Sequence, residues 1–176
     1  TNNADVLAFT EDSPTVLQVA EDYQSKGKKV WGFSHYSPME QYGPTAHLTG
    51  QIADWSGMME LVLANIYAGS WKSEDYWWRI GDGIPVRWKL PTASTTAGKA
   101  EGAAYLAPLN PVIPDAMKDL IKLRYEQMKE LLFEPYTGPI RDQDGKLRIE
   151  SGERATHDDL WSMDWFIEGI ESKLPT

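Results

Sequence analysis

The chain contains no cysteine, which excludes disulfides, thiolate-bound zinc and cysteine nucleophiles together. Basic residues are also short: 17 Lys and Arg stand against 26 Asp and Glu, a formal net charge of −9. Such a surface gives no footprint for the phosphates of nucleic acid or of anionic lipid, so neither is expected as a partner. No run of about 18 apolar residues occurs that could cross a membrane as a helix. Catalytic signatures are missing as well. There is no Gly-x-Ser-x-Gly elbow, phosphate-binding loop, Gly-x-Gly-x-x-Gly turn or His-Glu-x-x-His pair. The three histidines, His35, His47 and His157, have no partner at helical spacing. No metal, no cofactor and no enzymatic activity are therefore expected.

What is present fits one folded domain. The 176 residues are 41% hydrophobic and 11% aromatic, enough to bury a core. Val6–Phe9 is a continuous apolar run, predicting a strand buried on both faces. Ser13 and Pro14 predict a helix start, as N-cap and first helical residue. Val16, Val19, Ala20 and Tyr23 give that helix its inner face, and Gly27 closes it. Val30–Phe33 predicts the next strand, so the first third of the chain reads as a parallel strand–helix–strand unit.

A third strand is expected around His47–Ile52, followed by a helix from Trp55 to Ala68 with Met58, Leu61, Val62, Asn65 and Ile66 inward. "GSWKSEDYWW" and "IPVRWKL" read as extended or turn segments. Residues 91–103, rich in Ala, Thr and Gly, read as an exposed loop or insertion. Tyr105–Pro108 is a further extended piece. A long helix runs from Pro114 to Pro135 with Met117, Leu120, Ile121, Arg124, Met128, Leu131 and Leu132 inward. "GPIRDQDGKLRIE" predicts a hairpin turning at Asp144-Gly145. Thr156–Asp159 predicts a capping box, opening a last helix with Leu160, Met163, Phe166, Ile167 and Ile170 on one face. The fold class is α/β.

Six stretches carry a resemblance: "DVLAFTEDSP", "YGPTAHLTG", "GSWKSEDYW", "APLNPVIP", "GPIRDQDGKLRI" and "LWSMDWFIEGIESKLP". In this order they resemble the C-terminal part of the basic membrane protein family of ABC-transporter substrate-binding proteins, which includes purine nucleoside receptors. The resemblance covers nearly the whole chain outside 91–103. It implies a Rossmann-like lobe of a type I periplasmic binding protein, with a mostly parallel sheet flanked by helices and a C-terminal hairpin and helix. It further implies that residues 1–176 are the second of two lobes, the first being missing from this fragment. A hinge would close both lobes on a small, nucleoside-like ligand for delivery to an ABC permease. The setting would be periplasmic or otherwise extracytoplasmic, and a lone lobe would be prone to dimerise.

In parallel α/β sheets, ligands bind beyond the carboxyl ends of the strands, where loops lead into helix N-termini. The resemblance and this rule together name the candidate site. Thr10, Glu11, Asp12 and Ser13 follow the first strand, with Ser13 also able to cap its helix. Phe33 is expected to end the second strand and stack on a base, with Tyr36 behind it. Asp54 and Trp55 follow the third, Asp54 as a cap and Trp55 as a stacking ring. Family members often carry a Tyr-Asp-Ser-Asp-like string where this chain has Phe33-Ser34-His35-Tyr36, so no carboxylate is available there to grip a ribose diol. Eight tryptophans invite a carbohydrate-binding reading, but Trp77 and Trp78 are expected to pack on the sheet. The alternatives are a sensing or interaction domain of a regulator with the same fold, a carbohydrate-binding protein or a sugar hydrolase.

Overall fold

The computed structural model describes residues 4–80 and 103–172. "IPVRWKL" and most of the expected loop at 91–103 lie outside the described residues. Of that loop only Ala103 is described, and it is buried, not exposed. The chain forms two compact units, Thr1–Lys129 and Glu130–Thr176.

The first unit is built on a four-stranded sheet in the order β1-β2-β3-β4. Its strands are β1 (Val6–Ala8), β2 (Trp31–Tyr36), β3 (His47–Ala53) and β4 (Ala104–Leu106). β1, β2 and β3 are parallel, and β4 returns antiparallel to β3. The expected α/β class and mostly parallel sheet are what the structure shows. β1, however, is an edge strand among the described residues: Val6 is 42% exposed, so the strand is not buried on both faces as its apolar run suggested. A continuous apolar run reports hydrophobicity, not which neighbours cover it.

Helix α1 (Thr15–Ser25) crosses over between β1 and β2. It ends as expected at Gly27, whose φ of +76° suits a residue without Cβ. The Gly27 N–H donates to Gln24 O and the Lys28 N–H to Tyr23 O, closing the helix in a Schellman motif. Its buried face is Leu17 and Ala20, both fully buried, while Val19 is exposed. The inner stripe is thus turned by one residue from the expected one. The cause is a fitted contact: a Cβ at Gly32 would lie 2.8 Å from Leu17 Cδ1, and one at Gly43 2.7 Å from Leu17 Cγ. Leu17 fills the space that two glycines leave open, and burying it contributes about 1.5–3 kcal/mol. The helix is also tied down by Glu21, whose carboxylate accepts from Thr45 N, Thr45 Oγ1 and Ala46 N.

Helix α2 (Trp55–Tyr67) follows β3, with Gly57 and Leu61 buried; Ile66, expected inward, is exposed. Helix α3 (Asp115–Lys129) starts after Pro114 as its sequence predicts, but stops six residues short of Pro135. Leu131 takes φ +58°, which a right-handed helix cannot contain. None of its residues is fully buried, and Met117, Leu120 and Leu132 of the expected inner stripe are exposed.

The second unit holds a hairpin of β5 (Ile140–Arg141) and β6 (Leu147–Ile149). Of the turn residues only Gly145 has positive φ, at +77°. The turn is closed by Gly145 N donating to Asp142 O and widened by a bulge, not the two-residue form expected. Asp142 is buried inside it. Its Oδ1 accepts from the N–H groups of Asp144 and Lys146, and its Oδ2 from Arg148 Nε at 2.7 Å. The Arg148 hydrogen bond, followed by those backbone donors, holds the Asp142 carboxyl below its ordinary range.

The capping box forms as predicted: Thr156 Oγ1 accepts from Asp159 N, and Asp159 Oδ2 accepts from Thr156 N. Helix α4 nevertheless spans only His157–Trp161. Beyond it, Ile167 pairs with Asp142 as an isolated bridge, with Gln143 N donating to Phe166 O and Glu168 N to Arg141 O. Pairing with the hairpin overrides the helical spacing of Phe166, Ile167 and Ile170.

Candidate functional site

Parallel pairing sets the carboxyl ends of β1, β2 and β3 along one edge of the sheet. β1 pairs with β2 only as far as Ala8 opposite Phe33, and β2 continues to Tyr36 opposite Ile52. Phe33 is therefore mid-strand, not at the strand end, and Tyr36 holds the terminal position that was expected of Phe33. The apolar Val30–Phe33 run marked only the start of the strand. Its polar continuation, Ser34-His35, is carried by pairing to Gly50 and Gln51 of β3.

Thr10, Glu11, Asp12 and Ser13 are all exposed beyond β1. Ser13 is not the N-cap expected of it: α1 starts at Thr15, and Pro14 takes the N-cap position without a side-chain cap bond. One residue upstream, Ser13 Oγ accepts from Thr15 N at 3.3 Å and lies 2.6 Å from Thr15 Oγ1. Asp54 does cap α2 as expected, with Oδ1 accepting from Gly57 N at 3.1 Å. Such a cap contributes about 1 kcal/mol.

The third strand end leads into an aromatic concavity that contains predicted residues. Trp55, the first residue of α2, meets Tyr36 edge-on with ring centroids 5.6 Å apart and planes at 72°. Both line a pocket of about 510 Å³ together with Gln51, Met58, Met59, Tyr76, Trp77 and Trp78. Tyr76 and Trp78 stack at 5.0 Å with planes 15° apart, forming a flat wall. Among the described residues, every side chain lining this pocket is uncharged. Gln51 brings an amide that both donates and accepts, and Tyr36 a hydroxyl that does the same. Chemically the site can sandwich a flat, neutral molecule and orient it with few hydrogen bonds.

Of the eight residues named from the sequence, the pocket brings together Tyr36 and Trp55. Thr10 to Ser13, Phe33 and Asp54 are not part of its lining. Trp77 and Trp78, expected to pack on the sheet, instead help to wall the pocket, and Trp77 is half exposed. Tyr76, Trp77 and Trp78 lie in a stretch without regular structure, so no periodicity in the sequence signals which way they face.

Behind the site, Ser34 Oγ lies 2.9 Å from His47 Nε2, both side chains buried. Burial lowers the His47 pKa from its ordinary 6.5, with Glu40 and a backbone bond to Thr49 pulling the other way. Among the described residues no group of three or more His, Asp and Glu is placed to hold a metal ion. Nor is any helix among them long and apolar enough to cross a membrane.

No protein-family model matches the chain. Two curated relatives do. The chain is 29% identical over 171 residues to a purine-binding protein of Brucella abortus, covering 97% of this chain and 42% of that protein. It is 24% identical over 172 residues to an ABC-transporter glucose-binding protein of Haloferax volcanii, covering 98% of this chain and 35% of that one. The resemblance to substrate-binding proteins stands. The chain spans less than half the length of either relative. Both relatives carry the names of binding proteins, not of enzymes.

Proposed function

We propose that the chain is the second lobe of a two-lobed solute-binding protein that delivers a small, flat, uncharged solute, a purine or purine nucleoside, to an ABC permease. The observation that supports this reading most is the aromatic pocket at the carboxyl edge of the parallel strands, whose described lining is aromatic and uncharged. Stacking on such rings contributes about 1–3 kcal/mol per base, and Gln51 and Tyr36 add orientation. The mechanism is capture without turnover: the lobes close on the solute by hinge bending, and the closed form docks on the permease. The exposed Thr10–Ser13 loop and Phe33 remain proposed contacts on the same lobe, reached once the solute is enclosed. The working compartment is extracytoplasmic.

The relative named for glucose binding favours a second reading, a sugar receptor. A pyranose presents a ring of hydroxyls that needs a matching ring of carboxylates and amides, and among the described residues this pocket offers one amide. The lining therefore supports the heterocycle over the sugar. Equilibrium dialysis of the protein at its natural length against adenine, adenosine and glucose tests the choice. Retention of the purines is expected, and retention of glucose alone would replace this reading with the second.

A further inference from the structure

Strand β2 ends in a conformation that, among the described residues with a Cβ, only Tyr36 and Leu131 adopt. Tyr36, its last residue, has φ +64°, and the Ser37 N–H donates to the His35 carbonyl at 2.8 Å. A three-residue hydrogen-bonded turn about a positive-φ centre is the rarer, strained form of γ-turn. For a residue with a Cβ this conformation costs free energy and persists only where surrounding contacts hold it. Those contacts are visible here. Tyr36 stays paired with Ile52, its ring centroid is 3.6 Å from that of His35, and its edge meets Trp55. In an unbroken strand residue 36 would share the face of Ser34, which is buried against His47. The turn takes Tyr36 out of that alternation, and its ring lines the pocket.

The geometry points to Tyr36 as the residue that sets the pocket's selectivity, with a strained turn aiming its ring at Trp55 so that the two rings fix the gap offered to a planar solute. This rests on reading the aromatic pocket as the solute site. Backbone strain persists where surrounding contacts hold it, and it clusters at ligand sites. The two properties separate by substitution. Glycine relieves the positive φ but removes the ring, alanine removes the ring and keeps the strain, and phenylalanine keeps both.

The experiment compares Tyr36→Gly, Tyr36→Ala and Tyr36→Phe in the protein at its natural length, by thermal melting and by titration with adenine. In ordinary strands glycine is less stable than alanine. Here the glycine variant is expected to melt about 3 °C or more above the alanine variant. Adenine affinity is expected to fall about tenfold or more in both, and by less, about two- to fivefold, in the phenylalanine variant, which keeps the ring and loses only the hydroxyl's hydrogen bond. A glycine variant melting at or below the alanine variant overturns the strained turn. Glycine and alanine variants that bind adenine like the wild type overturn the selectivity role while leaving the pocket as the solute site. A wild type that takes up no adenine overturns the reading of the pocket, and this assignment with it.

Discussion

The hydroxyl of Ser34 and the Nε2 of His47 meet at 2.9 Å between two parallel strands, with both side chains buried. The neutral imidazole fits this place, because a charged one would be desolvated there. Burial lowers the His47 pKa below its ordinary 6.5, and Glu40 only partly opposes it. The sign follows by linkage. The unfolded chain takes up a proton near pH 6.5 that the folded chain refuses, so the stability owed to neutral His47 is complete above that pH and is lost as pH falls below it. Melting temperature is expected to drop between pH 7.5 and pH 5.5, and a His47→Gln variant to show a flatter profile. Asp142 and Asp159, whose carboxyls are held low, act only at more acid pH. Equal slopes in variant and wild type would refute the assignment.

Gly50 makes that pair possible. A Cβ on it would lie 1.9 Å from Ser34 Oγ and 2.7 Å from the Ser34 carbonyl oxygen, and the latter cannot swing aside. Gly50→Ala is expected to destabilise the first unit by about 1–3 kcal/mol, as overpacking does. Denaturant unfolding measures it, and an unchanged midpoint would show that the strands have room to part.

Trp55 carries little of the fold, being half exposed on the first turn of α2. Trp55→Ala is expected to leave melting within a few degrees of wild type and to weaken purine binding by about 1–3 kcal/mol. Calorimetry checks both parts. Loss of folding with binding unchanged in the folded fraction would place the ring in the core and not in the site.

The 176 residues by themselves expose Ile66, Leu120, Leu123, Leu132 and Trp161, all large and apolar. Each compact unit thus leaves large apolar side chains in water, and exposed apolar surface favours association. Sedimentation at rising concentration is expected to show reversible dimers, together with much weaker solute binding than the protein has at its natural length. A strictly monomeric chain that binds adenine as tightly as the longer protein would contradict the single-lobe proposal.

Much of this fold was legible where a local rule and the tertiary structure agree. Gly27 ends α1, Pro114 precedes α3, Thr156 and Asp159 form a capping box, and β1, β2 and β3 are parallel. The misses have one physical origin: periodicity says that a face is apolar but not what meets it. Leu17 displaced Val19 from the inner face because Gly32 and Gly43 leave a space of its shape. Ile167 left its helix to pair with Asp142. The site was half legible. Tyr36 and Trp55 follow from the rule that ligands gather at parallel strand ends, whereas Trp77 and Trp78 come from a segment with no regular structure, whose path no periodicity predicts.

The account depends most on what the uncharged aromatic pocket accepts. Calorimetric titration of the protein at its natural length with adenine, adenosine and glucose, repeated on Trp55→Ala, tests it directly. Purine binding in the micromolar range that weakens about tenfold in the variant, with no heat from glucose, is the predicted result. Binding of glucose in preference to either purine, or purine binding indifferent to the loss of Trp55, would contradict it.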